Sequence, residues 1–527
     1  MEYLIKNGII VDGTGSQGYR ADIGVENGYI VFIGNGDNLP AERIIDAQNQ
    51  IITPGFIDVH AHYDCGPFVS NTMEEKLMQG VTTLLVGACG YSVAPICKEN
   101  ASLLDTYISF MKSGAELNYQ WDSVGNYLKA VEKLGVGTNF AMLVGHGTLR
   151  IDAMGFENRK PSAAEMDRMK ERLTQALSEG AFGMSVGLFY APGSYADEEE
   201  LTELASVMKN CGGIYVAHMR DESERLMEAV DETLRIAEKA GVPGHIHHMK
   251  CMGTGNWKNS PAYMKKIQDA RDKRMDITGD QYPYTFGSTS LRGLLPDWAQ
   301  AGGVEQLFKR LEDKDTREKI LYQLEKDRGW SNPYLKDCSP EGITMVYAPY
   351  TPEIVGKNLK EISEAMQVRP AEAMLYIIYE NHGMDTGCLE LMCEEDIEYI
   401  MKQPFVMVGS DSNQPADGAL CHPRTYGTFI RFLKKYCIDN KVVEMEEGIR
   451  KMTSLPASRL GLTNKGIIKE GMDADLNIIE LEKLEDRASL QNPKQFASGV
   501  NTVLINGEIV VEDGKYNGKL AGRVLRK

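Results

Sequence analysis

Between residues 162 and 280 the hydrophobic period switches repeatedly, and that alternation limits the fold more than any other feature of the chain. Ser162-Ala-Ala-Glu165 has the form of a capping box, Met166, Met169, Leu173, Ala176 and Leu177 recur at helical spacing, and Gly180 closes the stretch before the strand-like run that starts at Phe182. A helix near 197 to 210 precedes a strand at Ile214, a helix near 222 to 240 precedes one at His245, and a helix near 260 to 273 precedes one at Met275. Strands alternating with helices build right-handed βαβ units and therefore a parallel sheet.

Over the whole chain the candidate strands of this kind are Phe56 to His60, Val81 to Gly87, Asn139 to Gly145, Phe182 to Gly187, Ile214 to His218, Gly244 to His248, Met275 to Asp280 and Phe405 to Ser410. Eight of them predict an α/β fold of the closed (β/α)8 TIM-barrel type, spanning 54–461. One gap, roughly 287 to 400, is too long for a single connection. It predicts an insertion after strand seven, at about 287–350, that covers the barrel mouth.

The ends of the chain have a different texture. Asn7-Gly8, Asp12-Gly13 and Asn27-Gly28 separate short β-branched runs, and Asn506-Gly507 does the same near the other end. Such dipeptides between apolar runs signal hairpins. Each end is too short to bury a core alone, so 1–53 and 462–527 are expected to pair into one small, discontinuous β-sandwich.

With 527 residues the chain is long for a single core, which fits one large domain with an attachment. Its net charge of −18 and the lack of a Lys/Arg-rich run argue against nucleic acid, whose affinity comes largely from basic patches. No apolar run approaches 18 residues and no basic segment followed by an apolar core opens the chain. Neither a membrane span nor a signal peptide is expected, and cytoplasmic residence is. The ten cysteines form no CxxC pair and are expected to be reduced thiols. Oligomeric state is left open.

In barrels of this type the chemistry sits at the C-terminal ends of the strands. Those ends deliver His60 and His62, Cys89, His146, His218, His247 and His248, Asp280 with Tyr282, and Asp411. Six of the nine histidines fall there. An HxH pair such as His60-Ala-His62 can aim two imidazoles at one point, which suits a borderline-soft cation such as zinc.

Seven ordered motifs carry a resemblance: TPGFIDVHAHYD at 53 to 64, GVTTLLVGACGYS from Gly80, YVAHMRDE at 215 to 222, HIHHMK at 245 to 250, DQYPYTFGST at 280 to 289, GSDS at 409 to 412 and HPRTYGTF at 422 to 429. Together they resemble the N-acyl-D-amino-acid deacylase branch of the amidohydrolase superfamily, over essentially the whole chain. The resemblance implies zinc-dependent hydrolysis of the amide bond of N-acyl-D-amino acids. It implies one tight zinc site at Cys89, His218 and His248, and a weaker second site at His60 and His62. It also implies Asp411 as general base and then acid, and Lys250, Tyr282, Ser288 and Arg424 around the substrate carboxylate. The fourth strand offers no lysine of the kind that other amidohydrolases carboxylate to bridge two metals. Other expectations kept open are hydrolysis of a D-dipeptide or a cyclic imide, and a non-catalytic scaffold.

Overall fold

The computed structural model describes residues 1–326, 338–416 and 419–527. Its centre is a parallel sheet of eight strands: β1 (Phe56–Asp58, resuming at Ala61–His62), β2 (Val81–Val86), β3 (Asn139–Met142, resuming at Val144–Gly145), β4 (Gly183–Gly187), β5 (Ile214–His218), β6 (Gly244–Ile246), β7 (Ile277–Gln281) and β8 (Val406–Val408, resuming at Ser412–Asn413). Neighbours pair in parallel from β1 through β8. The sheet closes where Ser412 and Asn413 pair with Ala61 and His62, and where the Asp411 amide donates to the His60 carbonyl over 2.7 Å. Closure removes both edges and gives the (β/α)8 barrel.

The helices behind the sheet start and stop where local chemistry directs. Ser162 and Glu165 form the reciprocal capping box that opens Ala163–Ser178, and Gly241, in the left-handed conformation, ends Leu226–Ala240. Leu226, Val230 and Ala237 of that second helix are buried against the sheet. Each such aliphatic side chain contributes about 1.5–3 kcal/mol relative to exposure. Inside the barrel, Ile57, Leu85, Leu143, Phe182 and Val216 form one apolar cluster with Leu460 and the partly buried Leu525.

The ends of the chain build two sheets and meet in the larger one. Ile51–Pro54 pairs antiparallel with Leu476–Ile479 inside a seven-stranded sheet, and Tyr3–Lys6 sits in a four-stranded one. Ile5, Ile23, Ile52, Leu476 and Leu504 share the core of this β-sandwich. The last residues also reach beyond the sandwich. Val136 bridges Gly522 and Phe140 bridges Val524, so the tail supplies partners to the start of β3 at the foot of the barrel.

The insertion expected after strand seven follows β7, and its sheet draws on residues as far as Glu390. Thr386–Glu390 is the middle strand of an antiparallel sheet between Phe286–Thr289 and Ile343–Tyr347, and a middle strand is needed to satisfy both neighbours' backbone groups. Part of the expected segment, 327–337, lies outside the described residues. Strand seven begins at Ile277 instead of Met275. The first strand is interrupted after Asp58, whose carboxylate accepts the His60 amide over 3.2 Å in place of a ladder bond.

Candidate metal centre

Strand ends bring six side chains to one place. Cys89, His218 and His248 offer donor atoms that all lie within 4.8 Å of one another, and so do His60, His62, Cys89 and Asp411. The Cys89 sulfur is common to both groups. Its Sγ is 3.7 Å from His248 Nε2 and 3.2 Å from His60 Nε2, and His248 Nε2 is 2.8 Å from His218 Nδ1. Despite the break in β1, His60 Nε2 and His62 Nε2 both reach Asp411 Oδ1, at 3.2 and 3.1 Å.

Three of these residues hold a backbone conformation that side chains disfavour. Cys89 has φ 51°, His248 φ 33° and Asp411 φ 50°, all left-handed. Non-glycine residues in that region carry strain of order 1–3 kcal/mol each, and such strain clusters at functional sites. Turning His248 this way also sorts a crowded strand. His245 Nε2 and His247 Nδ1, two residues apart, both lie 2.8 Å from Asp280 Oδ2, while His248 turns to the opposite group.

The donors fit zinc. A sulfur and two imidazoles are borderline-soft ligands, and three protein donors leave a position open, as a catalytic ion requires. His218 Nε2 and His62 Nδ1 are buried without a hydrogen-bond partner. Burial holds His218 and His248 well below the usual histidine range, helped by each other's proximity for the first and by Lys250 for the second, so both are neutral and able to coordinate. Burial pushes the Cys89 thiol up to about 11, against the pull of His60. A thiolate at this depth needs a cation beside it. His60 is raised well above its ordinary value in spite of burial, because Asp280, Cys89 and Asp411 surround it. The cluster thus draws positive charge to the point where a divalent ion would supply it.

Carboxylates orient the imidazoles from behind. Glu222 Oε1 stands 3.0 Å from His248 Nδ1 and 2.8 Å from Lys250 Nζ, and Asp280 Oδ1 is 3.0 Å from His60 Nδ1. This fixes which ring nitrogen faces the centre. Asp280 stands at a strand end in the sequence, and the sequence signal for Glu222 is its position four residues after His218.

Lys250, Tyr282, Ser288 and Arg424 line the same cavity as His62, Cys89, His218, His248 and Asp411, and residues 287–289 of the insertion form part of its wall. Two of the expected carboxylate partners are already engaged. Lys250 bonds Glu222, and Arg424 Nη1 lies 2.7 Å from Asp411 Oδ2 because a buried guanidinium needs a counter-charge. Arg424 Nε remains without a hydrogen bond. Burial would raise the Asp411 carboxyl, but Arg424 and His60 outweigh it and hold the group well below the usual range. His146 is elsewhere, bonded to Glu200, which also pairs with Arg150.

A closed (β/α)8 barrel with thiol, imidazole and carboxylate donors converging at its C-terminal rim defines a metal-dependent hydrolase. The chain belongs to the Amidohydrolase family, whose model matches residues 43–511. It is 30% identical to D-aminoacylase of Alcaligenes xylosoxydans xylosoxydans over 100% of this chain and 98% of that protein, and 31% identical to N-acyl-D-glutamate deacylase of the same organism over 100% and 97%. A solved structure of N-acyl-D-glutamate deacylase from Bordetella bronchiseptica, complexed with zinc and a phosphonate inhibitor that mimics the tetrahedral intermediate, superposes with a TM-score of 0.83. It is 30% identical, with both chains covered in full.

Proposed function

We propose that this enzyme hydrolyses N-acyl-D-amino acids to a carboxylate and a free D-amino acid, using zinc held by Cys89, His218 and His248. The observation that carries the reading is the convergence of those three donors opposite Asp411, in a cavity that also contains buried cationic side chains. The substrate class and the D configuration come from the relatives, which are named for N-acyl-D-amino acids.

Zinc held by these residues would supply Lewis acidity toward an acyl carbonyl and make water acidic enough, with a pKa of ~7, to serve as nucleophile. The protein's own part falls to Asp411. Its carboxylate, kept ionised by Arg424, takes a proton from the attacking water and returns it to the amine nitrogen as the C–N bond breaks. His60 and His62, both touching Asp411 Oδ1, orient it and offer a second, weaker ion position. The substrate α-carboxylate lies against Arg424 Nε, Lys250, Tyr282 and Ser288, where a planar guanidinium favours a planar anion.

The same cavity suggests a side-chain preference. Arg292 lines it, and among the described residues its buried Nε makes no hydrogen bond. Asp385 is the nearby acid that its charge feels. With Lys250 and Arg424 compensated by Glu222 and Asp411, Arg292 is the cation left for an acidic D-residue, in keeping with the glutamate-directed relative.

Work in a reducing compartment such as the cytoplasm fits ten cysteines that are all free thiols. No described helix is long and apolar enough to cross a membrane. The deciding experiment is a panel of N-acetyl-D- and N-acetyl-L-amino acids with and without chelator. Turnover confined to the D series and abolished by chelation is expected; equal rates on both series, or turnover of cyclic imides instead, would reject the assignment.

A further inference from the structure

One short turn reaches three separate parts of the site. Lys76, in helix Glu74–Leu77, is fully buried, and its ammonium donates to Asp58 Oδ2 at 2.8 Å and to the hydroxyls of Ser410 and Ser412, each at 2.7 Å. Those three bonds use every donor a lysine has. Ser410 and Ser412 flank Asp411, the residue in the left-handed conformation. Asp58 completes the knot: Oδ1 accepts the amides of His60 and Ser410, and Oδ2 accepts the Ser410 hydroxyl at 2.6 Å.

On one side of Lys76, Glu75 Oε1 accepts the Tyr63 hydroxyl at 2.7 Å, next to His62. On the other, Gln79 donates to the Thr425 carbonyl at 2.8 Å and accepts the Phe429 amide at 3.2 Å, gripping helix Arg424–Arg431. The turn is therefore bonded to the HxH segment, to both neighbours of Asp411, and to the helix that presents Arg424.

We propose that the 74–79 turn is a positioning device for the reaction. Lys76, acting through Asp58, Ser410 and Ser412, holds Asp411 in its strained conformation, and Gln79 keeps Arg424 in register with it. The inference rests on Asp411 being the acid–base group. Three hydrogen bonds to a lysine head restrain the flanks of Asp411 where its own backbone preference would let it relax, and an error of about 1 Å at such a group costs about 100-fold in rate.

The test uses the full-length, zinc-loaded protein carrying Lys76→Met with Asp58→Asn, which removes both buried charges together. Zinc per chain and KM are expected to stay within ~3-fold of the parent while kcat falls about 100-fold, and Lys76→Arg recovers part of the loss. Lys465→Met serves as control, because Lys465 is another buried lysine, bonded to Asp473 and Asp475 away from the cavity; its kcat per folded chain should hold. A folded, zinc-loaded double variant with kcat within ~3-fold of the parent, or an equal loss in the control, overturns the proposal. Should the double variant not fold, Gln79→Leu carries the same expectation and the same overturning result. A crystal structure of the variant decides independently of substrate: Asp411 is expected to leave Arg424 with Cys89, His218 and His248 in place, and an unchanged Asp411–Arg424 pair refutes the device. A parent protein inactive on every N-acyl-D-amino acid would refute only the functional reading.

Discussion

Arg424 and Asp411 form an ion pair, Nη1 to Oδ2 at 2.7 Å, between two nearly buried side chains at the centre of the cavity. The pair sets the charge of the carboxylate that shares a donor group with His60, His62 and Cys89. Asp411→Asn keeps the shape and removes the base, so kcat should fall by about 100- to 10,000-fold with zinc retained. Arg424→Met should raise the Asp411 carboxyl toward the ordinary range, moving the acid limb of the kcat/KM profile to higher pH. A pH–rate profile of the two variants beside the parent checks both outcomes.

Removing the shared sulfur should weaken both ion positions. In Cys89→Ser the hydroxyl is a harder and poorer zinc ligand, so zinc per chain should drop and activity fall with it, while Cys211→Ser at an exposed thiol changes neither. Metal analysis and turnover after dialysis measure this. Chelation should also lower the melting temperature of the parent, since an ion that binds only the folded state stabilises it by mass action.

Asp280 offers a pH test of stability. Burial opposes its ionisation, yet His60, His247 and His245 hold its carboxyl well below the usual range. A depressed carboxyl contributes stability that is complete above the unfolded value of about 3.9 and is lost as pH falls through the folded value. Zinc-free parent protein should therefore lose stability below about pH 4. Asp280→Asn should lose about 3–5 kcal/mol at pH 7 and show less further loss in that acid window. Denaturant titrations at several pH values give the comparison.

Arg292 should decide selectivity between side chains. Arg292→Leu is expected to lower kcat/KM for N-acetyl-D-glutamate by about 10- to 150-fold, the span of a charge-assisted hydrogen bond of about 1.5–3 kcal/mol, and to leave N-acetyl-D-leucine within ~3-fold. Equal effects on the two substrates would remove Arg292 from substrate recognition.

Much of the site is legible in the order of residues. Period switching between 2 and 3.6 gives the barrel, and its strand ends carry the HxH pair His60 and His62, Cys89, His218, the histidines at 245, 247 and 248, and Asp411. Which residues stand near a strand end is local information; where they point is not, since Cys89, His248 and Asp411 lie outside the strand segments in left-handed backbone. The insertion's sheet was not legible, since Thr386–Glu390 gains its place from two distant partners.

Tertiary structure decided how these groups point and what holds them. Among His245, His247 and His248, a φ of 33° turns the last one toward the metal donors, and such a backbone angle is imposed by packing against the intrinsic preference of the residue. Nothing in the sequence around Lys76 signals its burial. The lysine becomes the tie between β1 and β8 because barrel closure buries its ammonium beside Asp58, Ser410 and Ser412, where a charge must find partners. Sequence sets which groups each strand end can offer; the distances between groups hundreds of residues apart follow from how the closed sheet satisfies its buried polar atoms.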